Sequence, residues 1–287
     1  MFGGRNPVAA QRILLAELRR LRSAAGLTQK QVAAGLEWSI SKVIRIESGT
    51  VGLSITDLKA MLALYGVVEP ESVERLAEAA RTSREKAWWD AFRPHVAPEL
   101  INFIAVEAAA TAMYEYQSFA VPGILQTKAY IRAICAAFDA TDEATDRAVF
   151  MRTKRQDLLT GDDPMEARFV LDQAMLSRVV GSEDVMREQL GFLVELNRLP
   201  NVTIQVALFS SGVTDGMQNS FTIFDVPDQE HVVYLDQPGS LVLARTDADE
   251  VGRYLDAFDR LSSAKHSSSP AEFEVTIDRI LAGSAGK

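Results

Sequence analysis

The sequence has little of what disulfide-bonded, metal-binding and membrane proteins need. Its 287 residues include a single cysteine, Cys135. One cysteine excludes an intrachain disulfide framework and a multi-cysteine zinc or iron–sulfur site, and it favours a reducing compartment, which we expect to be the cytoplasm. No window of about 18 uncharged apolar residues occurs, and the N-terminus lacks the apolar segment of a signal peptide. We therefore expect neither a membrane span nor secretion.

Catalytic motifs are also missing. The sequence has only three histidines, and it contains no Gly-x-Ser-x-Gly, no His-Glu-x-x-His and no phosphate-binding glycine loop. A serine, histidine and aspartate set could still assemble in space from Ser220, His231 and Asp236, but almost any sheet offers such a combination. We therefore expect a protein that is not an enzyme and that uses no cofactor and no metal.

Charge is unevenly distributed along the chain. The first 66 residues hold nine Lys or Arg and four acidic residues, a net charge of +5. Because the whole chain has a net charge of −9, the remainder carries −14. This asymmetry predicts a small basic module that meets a polyanion, joined to a larger acidic domain with another task.

The spacing of apolar residues changes near residue 100. Before this point the spacing is helical and predicts five short helices in about 80 residues, followed by one longer helix from Glu71 to Phe92. Beyond it, five segments have the composition of strands, separated and followed by helices. They start near residues 113, 168, 202, 220 and 231. We expect an all-α bundle over 1–68, a helical linker over 69–98, and an α+β domain over 99–287 with a mainly antiparallel sheet.

Two short capped helices follow one another in the basic module. Thr28 and Gln31 have the spacing of a capping box, and Ser39 can cap the next helix, which Gly49 ends. Ala33 is small, as it must be where the two helices cross. A pair of this kind with a net positive charge is typical of a helix-turn-helix, whose second helix enters the major groove of DNA with its first turn.

Residues 10–66 resemble the Xre-type, Cro and lambda-repressor-like DNA-binding domain. The resemblance rests on the strings LRRLRSAAGLTQ at 18–29 and VIRIESG at 43–49, which stand at the family's spacing. It implies that Arg22 and Glu47 form a structural pair, which orients the recognition helix without touching bases. The chain is thus expected to be a transcriptional regulator.

Two departures from that family affect the expected mode of binding. Glu37 stands in the turn where the family usually has glycine, and a positive φ there would cost about 1–2 kcal/mol. The loop at 50–52 lacks the basic residues that often grip the DNA backbone. With few phosphate contacts a monomer should bind weakly. We therefore expect a homodimer on a double-stranded operator, with half-sites roughly 34 Å apart.

Six residues of the two helices are candidates for DNA contact. They are Gln29, Ser39, Ile40, Ser41, Lys42 and Arg45. The Gln29 amide can clamp a phosphate at the start of the first helix. Arg45 can bond guanine through two hydrogen bonds, Lys42 can contact guanine or phosphate, and Ile40 can meet a thymine methyl. The alternative is that Lys42 and Arg45 are merely solvated.

Residues 100–283 resemble the antitoxin-like domain of unknown function that follows an Xre-type helix-turn-helix in many bacterial regulators. The landmarks are Glu107, VPGILQT at 121–127, Arg155 and Gln156, VLDQ at 170–173, Gln189 and Leu190, and VVYL at 232–235. The resemblance implies a regulator that is often encoded beside a small partner protein, and no catalytic activity.

The VPGILQT string leaves two interpretations open. It can be a packing corner between a strand and a helix, or it can belong to a ligand pocket or partner groove lined by Tyr114, Tyr116, Phe119 and Gln126, since aromatic rings with a few polar groups suit either. A second open alternative concerns the whole chain, which could be a protein-docking adaptor whose helical bundle does not act chiefly through DNA.

Overall fold

The computed structural model describes residues 7–227, 231–237, 240–245 and 248–284. The chain forms two compact units, Met1–His95 and Val96–Lys287. The segment 69–98, which the sequence assigns to a linker, therefore lies almost entirely in the first unit. In the described residues, no helix is long and apolar enough to cross a membrane.

The first unit is a bundle of five helices. They are α1 (Pro7–Ala24), α2 (Gln29–Gly35), α3 (Ile40–Glu47), α4 (Ile55–Leu64) and α5 (Pro70–Thr82). Leu18 of α1, Val43 of α3 and Leu58 of α4 are fully buried in one core, which Leu76 and Ala80 of α5 complete. Helix α5 thus contributes to the folding of the bundle and does not serve as a spacer.

Local sequence signals set the ends of these helices. The Thr28 hydroxyl accepts a hydrogen bond from the Gln31 backbone amide while the Gln31 side chain accepts one from the Thr28 amide, which confirms the capping box. Ser39 caps α3 through the Lys42 amide.

The predicted single helix from 71 to 92 is two elements, α5 and a 3₁₀ turn at Trp88–Phe92. This turn has its own cap, because the Asp90 carboxylate accepts a hydrogen bond from the Ala87 amide.

The second unit is an α+β domain, as predicted. Its strands are β1 (Ala112–Gln117), β2 (Glu166–Asp172), β3 (Val202–Ala207), β4 (Phe221–Asp225), β5 (Val232–Gln237) and β6 (Ser240–Arg245). Its helices are α6 (Pro98–Ala109), α7 (Lys128–Ala137), α8 (Asp142–Arg155), α9 (Asp157–Thr160), α10 (Gln173–Ser177), α11 (Glu183–Leu196), α12 (Ala248–Ser262) and α13 (Phe273–Ser284). The sequence analysis predicted neither α6 nor β6. The hydroxyls of Thr127 and Ser182 cap α7 and α11.

The six strands form one mixed sheet in the order β3-β2-β1-β4-β5-β6. The pairs β1–β2 and β2–β3 are parallel, and the other three pairs are antiparallel. Three of the five pairs are thus antiparallel, as expected of a mainly antiparallel sheet, and the sequence analysis did not predict the two parallel pairs. The reason is the length of the connections, since α7 to α9 separate β1 from β2 and α10 and α11 separate β2 from β3, and such crossovers join parallel strands.

Residues that alternate along β1 face opposite sides of the sheet. Tyr114 and Tyr116 pack on the side covered by α12, where Tyr114 meets Phe258 edge to face at 5.4 Å between ring centroids. Glu115 and Gln117 lie on the other side, where Glu115 is close to charged residues of α6 and α8. The side of the sheet covered by α12 is thus packed with aromatic rings, and the other side holds buried polar groups together with the ring cluster of Phe103, Phe224 and Tyr234.

Candidate functional site

The orientation of α3 in the first unit is fixed by a buried carboxylate. Glu47, at the end of α3, is 3% exposed. The Arg22 Nε of α1 donates to Glu47 Oε1 at 2.7 Å, and the Gln29 Nε2 of α2 donates to Oε2 at 2.8 Å. Arg22 also donates to the Leu27 carbonyl at 3.0 Å. One carboxylate therefore ties the first three helices together, and charge-assisted hydrogen bonds of this kind resist rotation of α3.

The two sides of α3 differ sharply in exposure. Val43 and Ile46 are buried in the bundle core, whereas Ser41 and Arg45 are exposed. Ile40 and Ile44 point outward as well, at 46% and 44% exposure. Ile44 is absent from the candidates derived from the sequence. Its position four residues after Ile40 was the available signal, because residues at this spacing lie on one face of a helix.

Two of the six candidate residues have their polar ends engaged within the first unit. The Lys42 ammonium forms an ion pair with Asp57 Oδ1 at 3.0 Å and lies 3.6 Å above the centre of the Trp38 ring. The Gln29 amide donates to Glu47 as described above. A contact between Lys42 and DNA requires this ion pair to open, and Gln29 can offer a phosphate only its second amide hydrogen.

The remaining candidates lie on the exposed side of α3, from its cap Ser39 to Arg45 in its last turn. The Ser39 hydroxyl accepts the capping hydrogen bond and is exposed, as is Ser41. The Arg45 Nε donates to the Ser41 carbonyl at 3.4 Å, and its guanidinium group is exposed. Glu37, in the turn between α2 and α3, has a φ of 54°. The left-handed conformation considered for this position is therefore present without a glycine.

The four candidates in the second unit are not brought together. Tyr114 and Tyr116 pack beneath α12, and the Tyr116 hydroxyl is bonded to a carboxylate of the sheet. Phe119 is 55% exposed, with its ring centroid 6.3 Å from that of Phe138. Gln126 is buried and hydrogen-bonded within the protein. These four described residues therefore do not share one pocket, because the strand alternation and the turn after β1 send their side chains in different directions.

Gln126 instead closes the corner that follows β1. Its Nε2 donates to the Val121 carbonyl at 2.6 Å, and its Oε1 accepts from Arg152 of α8 at 2.5 Å. Its backbone carbonyl accepts from Gln156 Nε2 at 2.8 Å. The hydrogen-bonding groups of a buried, irregular segment must find partners inside the protein, and α8 supplies them here.

Helix α11 completes the same corner through Gln189, which is fully buried. Its Oε1 accepts from the Thr127 amide at 2.8 Å and its Nε2 donates to the Leu125 carbonyl at 2.7 Å. The Thr127 hydroxyl caps α7. The VPGILQT string is thus a packing corner held by side chains of two helices, the first of its two interpretations.

A buried ion pair lies next to this corner. Arg155 of α8 and Glu107 of α6 are 8% and 0% exposed, and they are joined by two hydrogen bonds of 2.6 and 2.7 Å. A Cβ atom at Gly123 would lie 3.0 Å from the Arg155 guanidinium. The corner therefore needs a residue without a side chain at this point, because the guanidinium covers its backbone.

Comparison with family models identifies both halves of the chain. A model described as a domain of unknown function (DUF5753) matches residues 100–272, more than half of the chain. The chain belongs to the DUF5753 family. A model described as a helix-turn-helix domain matches residues 13–76, which include α2, α3 and α4. No curated protein and no solved structure matches the chain.

The DUF5753 domain also buries a carboxyl group that is not hydrogen-bonded to an arginine. Glu115 accepts a hydrogen bond from Gln117 Nε2 at 3.1 Å, and burial raises the pKa of its carboxyl group to about 8. Gln117 Nε2 also donates to Oδ2 of Asp236 at 3.5 Å, and Asp236 itself is exposed. Glu115 is therefore mostly protonated at neutral pH.

In the described part of the chain, no group of three or more His, Cys, Asp or Glu side chains could hold a metal ion.

Proposed function

We propose that this member of the DUF5753 family is a sequence-specific DNA-binding transcriptional regulator of the Xre, Cro and lambda-repressor-like type. The observation that carries the proposal is the outward side of α3, with Ile40, Ser41, Ile44 and Arg45 exposed in a segment that matches a helix-turn-helix model. The major groove admits one α-helix. A helix whose exposed side carries both hydrogen-bonding and apolar side chains can contact the edges of bases in that groove.

The contacts behind α3 support the same proposal. Base readout needs a helix held in one orientation, because each pairing of side chain and base depends on geometry. The bonds from Arg22 and Gln29 to Glu47 supply this rigidity from the buried side. The net charge of +5 over the first 66 residues supplies the attraction to phosphate.

We also propose that the protein acts as a homodimer on its operator, in the cytoplasm, and that its DUF5753 domain has no catalytic role. In this proposal the domain is antitoxin-like, and it senses a ligand or docks a small partner protein encoded nearby. The exposed rings of Phe119 and Phe138, 6.3 Å apart, support docking, since adjacent exposed aromatic side chains are favourable at protein interfaces.

Arg45→Ala tests the DNA-binding proposal. Duplexes are selected by the wild-type protein from a randomised library, and their affinities are measured by fluorescence anisotropy. The variant is expected to lose about 1–3 kcal/mol and to relax base preference at one position. Arg81→Ala is the matched control, because it removes an equal charge from an exposed position of α5, outside the helix-turn-helix match.

The salt dependence of binding gives an independent test. Affinity should fall steeply between 50 and 200 mM salt, because neutralised phosphates release counterions. A flat response to salt, together with an Arg45→Ala variant that equals wild type, would contradict the proposal. That pair of results would favour an adaptor in which the bundle docks a protein.

A further inference from the structure

The exposed side of α3 carries two isoleucines that contribute nothing to the core of the bundle. Ile40 and Ile44 are 46% and 44% exposed. The core contacts of α3 are made by Val43 and Ile46, at 0% and 1% exposure. Single exposed apolar residues are common, but two on one face of an eight-residue helix form a continuous apolar strip.

The polar residues around this strip limit what α3 can read through hydrogen bonds. Lys42 is held by Asp57 and by the Trp38 ring, as described above. The exposed polar side chains on this side of α3 include Arg45 and Ser41, and a serine hydroxyl can form a hydrogen bond with either type of base. The apolar strip is thus a large part of the surface that α3 offers to a groove.

We infer that Ile40 and Ile44 read the C5 methyl groups of pyrimidines in the major groove. This inference rests on the proposed function. The thymine methyl is the apolar group that unmodified DNA presents on its major-groove edge. Residues four apart on a helix are separated by about 6 Å along its axis. That distance is close to two base-pair steps of about 3.4 Å each, so the strip can meet methyl groups on nearby base pairs.

The surroundings of the strip favour DNA over a protein as its occupant. Arg45 is exposed beside it, and the first 66 residues have a net charge of +5. The strip also occupies the first turns of the second helix of the helix-turn-helix, the part that enters the groove. A polyanion that carries apolar methyl groups on its groove edge matches both the charge and the apolar surface.

Removal of single methyl groups from the DNA tests the inference. In the tightest duplex selected by the wild-type protein, each thymine is replaced in turn by uracil, which lacks only the methyl. At the positions that contact Ile40 and Ile44, we expect each missing methyl group to weaken binding about fourfold. This factor corresponds to about 0.8 kcal/mol, the free energy of burying one methylene-sized apolar group. At the same positions, 5-methylcytosine should bind about fourfold better than cytosine.

Variants of the protein identify which side chains sense the methyl. The double variant Ile40→Ala and Ile44→Ala should bind thymine and uracil duplexes equally, and both substitutions are on the exposed surface. Val68→Ala is the control, because Val68 is an exposed apolar residue (80%) of the same unit outside α3. This control should keep the full response to uracil.

The outcomes separate the inference from the proposed function. If the protein binds no duplex selectively, the proposed function fails and the inference fails with it. If it binds selectively but uracil and 5-methylcytosine change nothing, or if the selected sites lack thymine, only the inference is overturned. If the double variant responds to uracil as the wild type does, another side chain senses the methyl and the inference is again wrong.

Discussion

Replacement of Arg155 by methionine removes the positive partner of a carboxylate that is completely buried. Glu107 is 0% exposed and receives two hydrogen bonds, at 2.6 and 2.7 Å, from the Arg155 guanidinium. Methionine keeps much of the apolar volume of the arginine stem but provides no donor. The variant therefore leaves the buried Glu107 carboxylate without its charged partner.

The expected cost follows from the burial of the pair. Breaking a buried pair by removing one partner typically costs about 3–5 kcal/mol, because the remaining charge has no compensation. We therefore expect Arg155→Met to lower the free energy of unfolding by about 3–5 kcal/mol.

Urea unfolding of the full chain, followed by far-UV circular dichroism, measures this loss. Hydrogen exchange with mass spectrometry then shows whether the loss lies in α6 and α8. The double variant Glu107→Gln and Arg155→Met should recover a large part of the stability, because it leaves no unpaired charge. Arg198→Met is the matched control, since Arg198 pairs with Glu274 at 3.1 Å with both side chains more than half exposed. It should change stability by about 0.5 kcal/mol or less.

Two results would refute the reasoning. One is a loss for Arg155→Met no larger than that for Arg198→Met, which would mean that the pair is hydrated in solution. The other is a double variant as unstable as the single one. In that case the cost would come from lost packing of the arginine stem, and the charge of Glu107 would be irrelevant.

Three further predictions concern single buried or strained positions. Burial raises the Glu115 pKa from 4.5 to about 8, so the unfolded chain releases a proton that the folded chain keeps, and the free energy of unfolding falls between about pH 5 and 8. Glu115→Gln should make this fall shallower by ~1.4 kcal/mol per pH unit, the contribution of one proton, in urea titrations at several pH values. Glu47→Ala should cost the first unit about 3 kcal/mol in thermal or urea unfolding, since Arg22 loses its partner. Gly49→Ala should destabilise by about 1–2 kcal/mol in the same assay, because φ is +73° and the new Cβ would lie 2.8 Å from a leucine methyl, while Gly52→Ala, with open space around it, should be nearly neutral.

The helix-turn-helix could be predicted from the sequence because its signals are local. Thr28, Gln31 and Ser39 act on backbone amides within three residues of themselves, so their spacing alone predicts the two helix starts. The residues on the exposed side of α3 were harder to predict. Lys42 is engaged by Asp57 and Trp38, which come from outside α3, and no local pattern indicates these contacts. Ile44 is exposed although it was not among the candidates.

The parts of the second unit that the sequence analysis missed depend on distant contacts. Helix α6 is apolar on most sides, with Ile101, Phe103 and Ile104 all buried, so it lacks the one-sided pattern that identifies a surface helix. The parallel pairing of β1, β2 and β3 depends on where the intervening helices return the chain to the sheet. Strand composition alone does not contain that information.

Several landmarks of the second resemblance take part in buried polar contacts. Glu107 pairs with Arg155, while Gln126 and Gln189 form hydrogen bonds with backbone groups of the corner after β1. A buried polar network of this kind is costly unless every member is satisfied, which explains why these residue types stand together in one fold. The resemblance in this domain therefore marks what the fold requires. A surface that distinguishes this regulator from others must be sought elsewhere, and the exposed ring of Phe119 lies immediately beside that corner in the sequence.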